Sequence, residues 1–204
     1  MVVNRANNPP VRLILASSSP RRREILESLC LTFDVKGADV DETPGVGESA
    51  VETVQRLALG KARLVAGTDK SSLVIGADTL VTMDGRVLGK PDDVEHAVEM
   101  LLSLGGRTHN VLTGVAFLKA DEGIEEVVVC RSEVTFKKLT DAMAREYAAT
   151  GEPLGKAGGY AIQGAGWELI DNYKGSLSNI IGFPVTELLK FFIRFGTERL
   201  EWAR

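Results

Sequence analysis

The run VRLILA (11–16) is short and apolar, and it stops at Ser17, Ser18, Ser19 and Pro20. Beyond Pro20 the chain takes up a helical period that lasts to about Leu29. A run of this length, bounded by serine and proline, is a buried strand feeding a helix. The same change of period recurs along the chain, which restricts it to an α/β fold.

In the first helix Ile25, Leu26 and Leu29 form the buried stripe, Ser19 is the N-cap and Pro20 takes the first helical position. LTFDVKGA (31–38) gives a second strand. The segment 45–67 is a long amphipathic helix, opened by a capping box of Ser49 and Glu52 and closed near Gly67. Residues 72–91 read as a strand turning at Asp84-Gly85. Asp92 and Glu95 make a second capping box for a helix to Leu104. HNVLTGVAFLKA (109–120) and EEVVVCRSEVTFKKL (125–139) form an antiparallel pair joined through a polar turn. Thr140 caps a helix to about Thr150, a glycine-rich loop follows, and Pro184 opens the last helix. The expected architecture is an elongated mixed sheet flanked by helices, in two lobes around a cleft. Residues 1–10 form a mobile tail and 11–204 a single domain.

The formal net charge of −4 excludes a general nucleic-acid binder, which needs a basic field. Cys30 and Cys130 stand far apart with no metal-ligand spacing, so neither a disulfide scaffold nor a zinc site is expected. This usage points to a reducing, cytoplasmic setting. No apolar run approaches a membrane span.

Against this background the stretch SSSPRRR (17–23) stands out. A helix N-terminus carries partial positive charge and favours an anion, yet arginines crowd its first turn. One reading is a solvated basic turn. The other is a phosphate site, in which backbone N–H groups and arginine forks share the ligand's charge. Asp78 lies within the apolar run VIGADTLV (74–81), either as a strand-end turn residue or as a carboxylate at the mouth of the sheet. In the second case it is a metal ligand or general base. Lys61 falls beside the buried stripe of its helix. Lys90 and Lys156 follow glycines but lack the P-loop spacing, which argues against that class of kinase or ATPase. With Asp78, the acidic pair Asp41-Glu42 could bind Mg²⁺ together with substrate phosphates. Gln163, in the loop GGYAIQGAG (158–166), has the donor and acceptor groups to read the edge of a base. Neither His96 nor His109 has a nucleophile partner, so a serine-histidine hydrolase is not expected. Cations, two carboxylate sites and a glycine loop with one amide suit a nucleoside triphosphate bound with Mg²⁺.

The ordered set LILASSSPRRREIL, DVDET, Lys61-Ala62, VIGADTLV, LGKP, THNVLTGVA, EPLGKAGGYAIQGAG and IIGFPV resembles the Maf family of nucleoside triphosphate pyrophosphatases, from about residue 11 to 195. The resemblance implies a fold related to inosine-triphosphate pyrophosphatases, often a homodimer, and cleavage between the α and β phosphates. It implies Asp78 as the catalytic base, and Ser17, Arg21, Arg22, Lys61 and Lys90 as phosphate or active-site contacts. Glu42 and Asp78 would hold the metal, with Mg²⁺ foremost and Mn²⁺ or Co²⁺ as alternatives. Arg21, Thr79 and Gln163 fall where the dTTP/UTP-preferring branch has its specificity residues. One departure stands out: Gly155 occupies the place of a family aspartate. Its loss leaves open a competing class, a nucleotide-binding regulatory module without catalysis.

Overall fold

The structure is a computed structural model and describes residues 10–203. The tail expected over 1–10 lies, except for Pro10, outside the described residues. The strands are β1 (Leu13–Ala16), β2 (Asp34–Val35), β3 (Leu73–Met83), β4 (Arg86–Leu88), β5 (Thr108–Lys119), β6 (Ile124–Phe136) and β7 (Ile170–Lys174). The helices are α1 (Pro20–Ser28), α2 (Ala50–Ala66), α3 (Val94–Leu104), α4 (Asp141–Ala149), α5 (Leu177–Ile181) and α6 (Val185–Phe195). The strands pair in the order β2-β1-β3-β5-β6-β7, with β4 on β3. β1 runs parallel to both β2 and β3, whereas β4 on β3 and β7 on β6 are antiparallel, so the sheet is mixed.

The chain divides into two compact units. Of the described residues, the first comprises 10–78, 114–129 and 182–203, and the second 79–113 and 130–181. In the first unit Ile14, Ala16 and Val74 of the sheet pack against Ala58, Ala62 and Val65 of α2. Small residues face each other there for a steric reason. A Cβ on Gly76 would stand 2.2 Å from the carbonyl oxygen of Ala58 and 2.8 Å from the amide of Ala62, so this strand position admits only glycine. That close approach sets the reach between side chains of α2 and those of β3. Phe117 of β5 stacks on Phe191 of α6 at 3.9 Å and closes another part of this core. The second unit is built on Val81, Val98, Leu101, Leu104, Val134, Phe136, Tyr147 and Ile162.

The structure revises several local expectations. LTFDVKGA contributes only Asp34 and Val35, both exposed, to the β1 ladder, because its start turns instead to the C-terminal segment, where Leu31 bridges Trp202 and the Thr32 amide donates to the Glu201 carbonyl. The helix at 94–104 is capped by Asp93 instead of Asp92: extended backbone at Asp93 lets its side chain accept from the His96 amide. The expected capping box therefore does not form, and the Asp92 carboxylate lies 3.1 Å from His96 Nδ1. Ser19 has N-cap backbone geometry, but its side chain makes no cap hydrogen bond. The box of Ser49 and Glu52 is present in both directions. Leu29 is half-buried, and α5 was not anticipated.

Candidate active site

Asp78 ends the part of β3 that belongs to the first unit, and its side chain is buried. A carboxylate there requires a partner. α2 supplies it: Lys61, one residue before Ala62 on the face that Gly76 admits, places Nζ 2.7 Å from Asp78 Oδ1. The same ammonium donates to Glu42 Oε1 at 2.8 Å. Lys61 and Asp78 retain side-chain exposures of only 10% each, whereas Glu42 stays half open at 49%. The cation thus bridges one buried and one accessible carboxylate. Asp41, the other half of the acidic pair, points elsewhere and accepts from the Thr43 amide.

The arginines of the first turn of α1 divide by function. Arg22 reaches inward, where Nε donates to the Gly182 carbonyl at 2.9 Å and Nη1 to the Ala77 carbonyl at 2.9 Å and to Ser17 Oγ at 3.1 Å. Ser17 Oγ, itself buried, also accepts from the Ser19 amide and so shapes the serine turn. Burial lowers the Arg22 guanidinium to about 10; the charge of Arg21 adds to this, while Asp78 and Glu42 oppose it. Arg21 is half-buried beside it. Arg23 faces outward and pairs with Glu27 one turn on, at 2.8 Å. Ser17, Arg22, Lys61, Asp78 and Glu42 therefore belong to one connected constellation in the first unit, with Arg21 at its side. An open groove lined by Val46, Gly47, Glu48, Glu52, Gln55 and Arg56 contains none of these residues. Its carboxylates are already engaged, Glu48 in an ion pair with Arg56 and Glu52 as acceptor from the Ser49 hydroxyl.

Thr79, Lys90 and Gln163 belong to the second unit. Thr79 Oγ1 shares a 3.0 Å hydrogen bond with Thr113 Oγ1, and Thr113 donates on to the Asn179 carbonyl. Asn179, fully buried, donates to the Val111 carbonyl and to Ser132 Oγ. This polar string went unread in the sequence, although an asparagine before the apolar pair Ile180-Ile181 was a usable sign. Lys90 is exposed after β4, and Gln163 is exposed within its loop. Gly155 has φ +73° with open space around its Cβ position. Aspartate tolerates this left-handed conformation better than most residues, so the position would accept an aspartate without a clash. Lys156 Nζ donates to the Glu152 carbonyl at 2.5 Å.

Among the described residues no group of three or more His, Cys, Asp or Glu side chains could hold a metal ion alone. Glu42 and Asp78 nonetheless aim one oxygen each at a single cationic atom. Two carboxylates completed by substrate phosphates is a donor set that suits a hard divalent cation. Among the same residues no helix is long and apolar enough to cross a membrane.

Comparison with known proteins converges on one family. The model of the Maf-like proteins matches residues 12–195. A dTTP/UTP pyrophosphatase of Myxococcus xanthus is 48% identical over 184 residues, covering 90% of this chain and 92% of that protein. One from Pelotomaculum thermopropionicum is 47% identical, covering 90% and 96%, and one from Moorella thermoacetica is 46% identical, covering 95% and 98%. Among solved structures the Ham1 protein of Staphylococcus aureus shares the fold with a TM-score of 0.50 at 19% identity, over 90% of this chain and 98% of that one. The chain belongs to the Maf family.

Proposed function

We propose that this chain hydrolyses dTTP and UTP between the α and β phosphates, releasing the monophosphate and pyrophosphate. The observation that carries the reading is the buried Asp78 held by Lys61 and bridged to Glu42. The names of the relatives that match most of its length supply the substrate class.

Each side chain has a part in this chemistry. Asp78, fixed by its ion pair, orients the attacking water and accepts its proton. Lys61 locks the carboxylate's rotamer and adds positive charge beside it. Arg21, Arg22 and Lys90 offset charge on the phosphate oxygens, a preorganised electrostatic contribution. Arg22 arrives already fastened by carbonyls, so little reorganisation accompanies substrate binding. Ser17 holds the turn whose N–H groups face the phosphates. Glu42 and Asp78 would hold a divalent cation, Mg²⁺ before Mn²⁺ or Co²⁺, which when bound neutralises phosphate charge and polarises the phosphorus under attack. Thr79 and Gln163, with Arg21, select the pyrimidine base.

Pyrophosphate release from dTTP, UTP, dCTP, ATP and GTP, each with Mg²⁺, Mn²⁺ or Co²⁺, tests the reading. Turnover is expected with dTTP and UTP above the purines. Nucleotide binding without turnover of any member would overturn it in favour of a regulatory module.

A further inference from the structure

The loop that carries Gln163 is held from both sides by two side chains on or just beyond α4. Tyr147, on α4 and 5% exposed, donates its hydroxyl to Glu152 Oε1 at 2.8 Å and accepts from the Ala161 amide at 3.0 Å. Beyond Gln163, Glu152 Oε2 accepts from the Ala165 amide at 3.0 Å and Oε1 from the Gly166 amide at 3.3 Å. Glu152 is itself anchored, since its amide donates to Thr150 Oγ1, which donates to the Tyr147 carbonyl. The packing admits no slack. A Cβ on Gly164 would stand 2.2 Å from Glu152 Oε2, so the loop lies flush against the carboxylate.

One carboxylate and one phenol thus satisfy backbone donors at 161, 165 and 166, the positions that bracket Gln163. Bonds from N–H groups to an ionised acceptor, as at Ala165 and Gly166, are the strong kind, and the Ala161 amide, buried against the Tyr147 hydroxyl, is costly to leave without its acceptor. We propose that Glu152 and Tyr147 are positioning residues that set base selectivity by fixing the backbone on which Gln163 is presented. The proposal rests on Gln163 reading the base. It assigns discrimination to a glutamate that contacts no substrate, and predicts that selectivity is lost when the loop is released even though Gln163 is intact. Glutamine at 152 cannot serve, because its amide nitrogen would confront an N–H donor where a carboxylate oxygen accepted.

The test compares kcat and KM for UTP and GTP in the full-length chain and in Glu152→Gln, Tyr147→Phe, Gln163→Ala and the double variant Glu152→Gln/Gln163→Ala. Glu152→Gln should lower the UTP-to-GTP ratio of kcat/KM about tenfold, carried mainly by KM for UTP, on the scale of one charge-assisted hydrogen bond. Tyr147→Phe, which removes a single oxygen and keeps the aromatic packing, should shift the ratio in the same direction. In the Gln163→Ala background Glu152→Gln should produce no further change in selectivity. If Gln163→Ala shifts the ratio while Tyr147→Phe and a folded Glu152→Gln leave it in place, the positioning role is wrong and the reading of Gln163 stands. If Gln163→Ala itself leaves the ratio unchanged, that reading and this proposal fall together.

Discussion

Lys61 Nζ sits 2.7 Å from Asp78 Oδ1, joining the buried edge of a helix to the end of a strand segment across a contact that only glycine permits. Removing one member of such a pair leaves a charge with little water. Lys61→Met is expected to cost about 3 kcal/mol of stability, the range seen when a buried pair loses one partner. It should also abolish turnover. Urea denaturation followed by circular dichroism, beside a turnover assay, checks both.

The approach of α2 to β3 gives a second expectation. At Gly76 even one added methyl meets the backbone of Ala58 and Ala62, which cannot rotate away. Gly76→Ala should destabilise by about 3 kcal/mol, the upper part of the overpacking range. As α2 backs off, Lys61 should lose its grip on Asp78, so activity should fall below what residual folding alone allows. A thermal melt paired with specific activity measures the two effects separately.

Arg22 and Arg23, adjacent in the first helical turn, should behave in opposite ways. Arg23→Ala removes an exposed pair with Glu27 and should change stability by no more than about 0.5 kcal/mol. Its activity should match that of the parent chain. Arg22→Ala strips donors from the carbonyls of Ala77 and Gly182 and should cost about 2 kcal/mol. Parallel denaturation curves for the two variants decide the matter.

His109 makes stability depend on pH. It is fully buried, shares a 2.8 Å hydrogen bond with Tyr160 through Nε2, and has no hydrogen-bond partner at Nδ1. Desolvation lowers it from 6.5 to about 4, so the folded chain keeps it neutral where the unfolded chain takes up a proton. The unfolded state then binds more protons, and stability falls as pH drops from 6.5 toward 4. Between pH 6.5 and 5 the loss should approach about 2 kcal/mol. Denaturation midpoints at pH 7, 6 and 5 should show this slope, and His109→Gln should flatten it.

Local signals in the sequence carried much of the fold. The apolar run before SSSP, the reciprocal box of Ser49 and Glu52, and the glycine-punctuated loop all describe events within a few residues, and they form as expected. The choice between Asp92 and Asp93 as cap was invisible, because both are good caps and only the backbone angle separates them. For the site, residue types and spacing pointed to Asp78, the Asp41-Glu42 pair and the serine-arginine turn, the family resemblance singled out Lys61, Glu42, Ser17 and Arg22, and the structure places these side chains close together. The destination of Arg22 could not be read, since its acceptor Gly182 lies 160 positions away. Nor could the anchoring by Glu152, which depends on a loop folding back onto a carboxylate.

The central claim is that Asp78 drives cleavage between the α and β phosphates of a pyrimidine nucleoside triphosphate. It is tested most directly by quantifying UMP, UDP, phosphate and pyrophosphate after incubating UTP and Mg²⁺ with the parent chain and with Asp78→Asn. UMP and pyrophosphate in equal amounts from the parent, with turnover at least about 10²-fold lower in Asp78→Asn and UTP binding largely kept, is the predicted result. UDP and phosphate as products, or undiminished turnover in Asp78→Asn, would contradict it.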